Sequence, residues 1–140
     1  MKHTTVPPLT VYFDASCPLC TTEMAAMKSR DHAGRLHLVD CSPIGFAAGP
    51  APREALMTAL HAVDATGRVL VGVAAIRACR EAVGLPSGAR LLDLPWAAAC
   101  ADRAYALLAR HRHRLPRPLV ALLVRANAPR GTCAGGNCRI

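Results

Sequence analysis

A chain of 140 residues, 52% of them hydrophobic, is about one domain long and can bury a real core. With only 19% charged residues and seven cysteines, it is neither a disordered polyelectrolyte nor a fully paired disulfide scaffold, which would need an even and denser cysteine set. The net charge of +8 is unevenly spread: residues 1–70 carry six basic and six acidic side chains, residues 71–140 eleven and three.

Residues 1–8 lack the apolar run of a signal peptide. The longest aliphatic block, residues 119–124, is far shorter than the ~18 residues a spanning helix needs. The expected location is therefore the cytoplasm, of a bacterium, where thiols stay reduced and cysteine pairs are more often redox-active or metal-binding than structural.

Residues 9–13 (Leu-Thr-Val-Tyr-Phe) read as a short buried strand. Asp14-Ala15-Ser16 is a polar turn, and a helix follows from Cys17 or Pro18 to about Arg30, with Ser16 as candidate N-cap and Pro18 in the first turn. Cys20, Met24 and Met27 share one face of it. Residues 36–39 form a second strand, so 9–40 is a βαβ unit. Residues 42–52 are a loop and 53–59 a short helix. Residues 61–64 and 68–71 are two strands joined by Ala65-Thr66-Gly67, a hairpin signal. After Gly72, residues 73–83 are helical. The order β-α-β-α-β-β-α is that of a minimal thioredoxin-like α/β fold.

Beyond a linker at 84–88, residues 91–114 and 116–126 read as a C-terminal α-helical extension, with Trp96, Cys100, Ala104, Leu107 and Leu108 as its apolar stripe. The chain thus divides into a thioredoxin-like core (1–88), a basic helical extension packed on the same domain (89–128) and a Gly/Cys tail (129–140).

Cys17-Pro18-Leu19-Cys20, directly after a strand and at a helix start, carries the chemistry. Positions i and i+3 lie on one helix face, so two sulfurs there can bond with little strain. Helix N–H groups and the macrodipole stabilise a thiolate at Cys17. Cys17, exposed at the helix tip, would attack a disulfide, and Cys20, sheltered one turn in, would resolve the mixed disulfide. Asp14 either relays a proton or tunes the Cys17 thiol, or is simply a turn carboxylate; a carboxylate alone would raise a thiol's pKa.

Asp14-x-x-Cys17-x-x-Cys20 within Val-Tyr-Phe-Asp-Ala-Ser-Cys-Pro-Leu-Cys resembles the signature of the DCC family of thiol-disulfide oxidoreductases, named for that Asp-Cys-Cys pattern. The resemblance continues through Gly34-Arg35-Leu36 and Val39-Asp40, His61-x-Val63-Asp64-Ala65-x-Gly67-Arg68-Val69 and Gly72-Val73-x-Ala75, to Tyr105 with Ala109-Arg110-His111-Arg112-His113-Arg114, and so spans roughly residues 9–115. It implies a thioredoxin-like fold and a dithiol enzyme acting on protein or small-molecule thiols and disulfides. Thioredoxins place a cis-proline before the third strand; here Thr58-Ala59-Leu60-His61 stand there instead. His61 could approach the dithiol in its place, as a base or as a thiolate-favouring cation; the alternative is a strand-end histidine held by a backbone hydrogen bond.

Cys133 and Cys138, around two glycines, suit a regulatory disulfide, an electron relay, half of a Cys₄ zinc site with Cys17 and Cys20, or incidental tail thiols. Cys41, Cys79 and Cys100 read as packing residues. The run from Arg110 to Arg114 is a solvated face or a dock for an anionic partner; with no aromatic interleaving and no known nucleic-acid module, nucleic acid is not expected. No cofactor is required, because a dithiol carries two electrons itself. A zinc protein using the same cysteines and a non-catalytic interaction module are the alternatives.

Overall fold

β1 (Leu9–Phe13) lies inside the sheet and pairs on both edges. The computed structural model describes residues 5–86, 91 and 93–127. β1 runs parallel to β2 (Leu36–Asp40) and antiparallel to β3 (His61–Val63), which pairs antiparallel with β4 (Val69–Val71), giving the order β2-β1-β3-β4. A parallel pair needs a crossover, and α1 (Pro18–Lys28) supplies it. α2 (Arg53–Thr58) precedes β3, and α3 (Val73–Ala82) follows β4. The expected β-α-β-α-β-β-α order is present, in a mixed α/β arrangement consistent with a thioredoxin-like fold.

Side-chain alternation divides the sheet into two faces. Leu9, Val11, Leu36, Ala62 and Leu70 pack with Met24 and Met27 of α1 and Ala75, Ala78 and Cys79 of α3 to form the core. Tyr12, one residue out of phase, meets Leu56 of α2 across Gly49, where an added Cβ would lie 3.1 Å from both side chains. Two helices therefore cover one face and α2 the other.

α4 (Pro95–His111) and α5 (Arg117–Asn127) form the extension. α4 packs against α3, and α5 against α1. The expected apolar stripe of α4 is not the one that packs. Trp96 is 65% and Leu107 61% exposed, and Cys100 is exposed rather than a packing residue. The helix turns inward the face of Ala97, Ala101, Tyr105 and Ala109 instead. The reason is distance: alanines let the helix approach closely enough for the Tyr105 hydroxyl to accept a hydrogen bond from Leu60 N–H at 2.8 Å. Gly72, with φ of +63°, completes that approach, since a Cβ there would lie 3.2 Å from the tyrosine ring in a conformation that side chains disfavour.

Asp31 sets where α1 ends and β2 begins. Its carboxylate accepts Lys28 Nζ at 2.8 Å, Arg35 N–H at 2.6 Å and Leu36 N–H at 3.0 Å. Burial pushes its pKa up, but the Lys28 charge and the two backbone donors outweigh this and hold it at about 2. A depressed folded value means stability that is complete above the ordinary carboxyl range and lost as pH falls through about 2. Asp31→Asn is expected to cost on the order of 1–2 kcal/mol at pH 7, and urea melts should show the gap to wild type closing between about pH 4 and pH 2.

Candidate functional site

At the end of β1 the chain turns around its own side chain. The Asp14 carboxylate accepts Ser16 N–H at 2.9 Å and Ser16 Oγ–H at 2.5 Å, and the Asp14 carbonyl accepts Cys17 N–H at 3.3 Å. This Asx-type turn delivers Cys17 to the helix start in an extended conformation (φ −94°, ψ 114°), with Pro18 in the first turn. Cys17, not Ser16, is the N-cap, because the serine hydroxyl is spent on Asp14. The Cys17 carbonyl accepts Thr21 N–H and Thr21 Oγ–H, both at 3.0 Å, which closes the first helical turn.

Cys17 and Cys20 come within 3.2 Å of each other and are not disulfide-bonded. The Cys17 thiol is held down to about 6, from an ordinary 9.0, chiefly by the hydrogen bond from Cys20; burial opposes this, and the N–H groups of Cys20 and Leu19 and the Arg112 charge add to it. The same hydrogen bond, burial and the Cys17 charge push Cys20 up. Cys17 is thus the sulfur of the pair that ionises first, and Cys20 the one that keeps its proton longer.

The expected exposure is reversed. Cys17 is only 1% exposed, while Cys20 is half-buried. A cavity of about 430 Å³ adjoins Cys17, and its wall includes Leu115 from the segment after α4 and Val120 and Ala121 from α5. The helical extension is therefore the cover over the helix tip.

Arg112 is the residue that the sequence reading passed over. It lies one residue past α4, and its side chain is 7% exposed. Nη2 donates to Asp14 Oδ2 at 3.0 Å and to the Met57 carbonyl, and Nη1 donates to Cys20 Sγ at 3.5 Å. His113 Nε2 sits 3.3 Å from the same Asp14 oxygen. For Arg112, then, the anion is the chain's own Asp14. The clue was its place within Arg110-His111-Arg112-His113-Arg114, but nothing in that alternation says which member turns inward.

His61 is 6% exposed and sits opposite Tyr12 at the start of β3. Its Nδ1 is 2.8 Å from the Ala59 carbonyl. Cys41 and Cys79 are buried, and burial pushes both thiols up, Cys79 to about 12. Cys133 and Cys138 lie outside the described residues. Among the described residues, no group of three or more His, Cys, Asp or Glu is placed to hold a metal ion.

The Asp14–Arg112 pair is testable by a mutant cycle. Removing one member of a buried pair strands the other charge, so Arg112→Met is expected to cost about 3 kcal/mol. Asp14→Asn on that background should recover at least about 1 kcal/mol. Urea unfolding of the three variants and wild type measures both; strictly additive effects would contradict the pairing.

The family model for DCC1-like thiol-disulfide oxidoreductases matches residues 11–118, from within β1 past Arg112 to the start of α5. No curated protein and no solved structure matches the chain. The match takes in Asp14, Cys17, Cys20 and the arginine that bridges Asp14 and Cys20, and it covers well over half of the sequence: the chain belongs to the DCC1-like thiol-disulfide oxidoreductase family.

Proposed function

We propose that the chain catalyses thiol–disulfide exchange with Cys17 as nucleophile and Cys20 as resolving thiol. The Cys17 thiolate attacks one sulfur of a substrate disulfide and forms a mixed disulfide, and the first substrate sulfur leaves as a thiolate that takes a proton from solvent. Cys20 then loses its proton and attacks the Cys17 sulfur, which expels the second substrate thiol. Two electrons pass to the substrate, and a Cys17–Cys20 disulfide remains. No further group is needed to carry them.

The observation that carries this reading is the unbonded Cys17–Cys20 pair, 3.2 Å apart at a helix N-terminus. Asp14 and Arg112 act as positioning residues: Asp14 shapes the turn that presents Cys17, and Arg112 adds a positive charge felt by both sulfurs. His61 also acts in support, because its bond to the Ala59 carbonyl shapes the entry to β3. The chemistry suits a reducing cytoplasm. Among the described residues, no helix is long and apolar enough to cross a membrane.

A Cys17 thiol at about 6 is about 90% thiolate at pH 7. Alkylation of Cys17 by iodoacetamide should therefore rise with pH to a midpoint near 6 and then level off. In Arg112→Met the midpoint should move up. In Cys20→Ser a mixed disulfide should accumulate on Cys17 and be identified by mass spectrometry. A thiol titrating near 9.0, together with no trapped adduct, would refute the reading.

A further inference from the structure

Three features of the site bear on its substrate. The first is access. A disulfide on a folded protein is met at a surface, so the attacking sulfur must stand clear of its own protein. Cys17 is 1% exposed and is reached through the cavity of about 430 Å³, within the roughly 300–1,000 Å³ range of small-molecule sites.

The second is the lining. Pro18, Leu19, Leu115, Val120 and Ala121 make the wall largely apolar. Arg112 and His113 also border the cavity, but both are turned to Asp14: the guanidinium is engaged by Asp14, Met57 and Cys20, and His113 Nε2 lies 3.3 Å from the same Asp14 oxygen.

The third is the backbone beside the dithiol. Arg112 bridges Cys20 Sγ and the Met57 carbonyl, which puts the last turn of α2, directly before the Ala59–Leu60 entry to β3, next to the sulfurs. An extended peptide is held by free N–H and C=O groups of such a segment. Here Ala59 N–H donates to the Ala55 carbonyl, the Ala59 carbonyl takes His61 Nδ1, Leu60 N–H donates to the Tyr105 hydroxyl, and the Leu60 carbonyl accepts Gly72 N–H. Both N–H groups of this segment are thus already used within the chain, and both carbonyls carry one internal hydrogen bond each.

We infer that the site takes low-molecular-weight disulfides with apolar, uncharged bodies, and not the disulfides of proteins or extended peptides. The inference rests on the dithiol reading above. The small disulfide enters beside Leu115 and Val120, one of its sulfurs meets the Cys17 thiolate, and both halves leave as thiols while Cys17 and Cys20 become the disulfide.

The test is single-turnover oxidation of the pre-reduced full chain by three probes: diethyl disulfide, cystine and insulin. Each rate is divided by that of dithiothreitol with the same probe, which removes the probe's own reactivity. Diethyl disulfide is expected to exceed both cystine and insulin at least tenfold on this scale. Insulin equal to or faster than diethyl disulfide overturns the inference, and so does cystine reacting as fast as diethyl disulfide. If no probe oxidises the pair, or if Cys17→Ser reacts as wild type does, the dithiol reading itself fails, a different result from insulin leading. Ala121→Trp, which fills the cavity, should slow diethyl disulfide at least tenfold without moving the equilibrium of the pair in glutathione buffers. An unchanged rate would show that the cavity is not the route.

Discussion

The Asp14 carboxylate ends β1 with no exposed side-chain surface, and a buried anion is tolerable only beside a cation. Arg112, 98 residues further along, supplies it. Much of the site depends on that pairing. The guanidinium that neutralises Asp14 also holds the Met57 carbonyl and reaches Cys20 Sγ. One side chain thus draws together the turn after β1, the segment leading into β3, the dithiol and the end of α4. Residues 113–121 follow directly, and their course over the helix tip begins where Arg112 is anchored.

The same pairing reconciles two charges that would otherwise compete. A carboxylate near a dithiol disfavours the thiolate, and Asp14 does raise Cys20. Arg112 acts in the opposite direction on both sulfurs. At an effective dielectric of about 20, opposite unit charges 4 Å apart attract by about 4 kcal/mol, so a guanidinium that touches Asp14 and Cys20 and is felt at Cys17 can offset the repulsion. Asp14 can then serve the turn geometry that presents Cys17 without forbidding its ionisation. Burial of Cys17 works against the thiolate as well, and here the hydrogen bond from Cys20 is the largest opposing effect.

Local features of this site were legible in the sequence and long-range ones were not. The apolar run of β1, Pro18 in the first turn and the Cys17–Cys20 spacing are set within about twelve residues, and the strand, the helix and the sulfur pair follow from them. Ser16 misled because Asp14, two residues before it, competes for its hydroxyl. The packed face of α4 misled for a different reason: large apolar residues suggest a buried stripe, but Tyr105 has to reach Leu60, and only the alanine face permits that approach. Arg112 and the cover over Cys17 depend on a fold-back from the far end of the domain, which no spacing within residues 110–114 encodes.

Cover and reactivity at this site share a component, and this constrains how the site can work. Arg112 borders the cavity that shelters Cys17 and also lowers both thiols. A motion that lifts residues 112–121 away to admit a bulky partner takes that charge from the sulfurs and strands Asp14 without its cation. Widening access therefore weakens the nucleophile and costs the stability of a buried pair. A small disulfide of the kind inferred above would reach Cys17 with the guanidinium still in place. On the proposed exchange reaction, the arrangement with Arg112 in place is the one suited to attack, because the side chain that anchors the cover also lowers the Cys17 thiol.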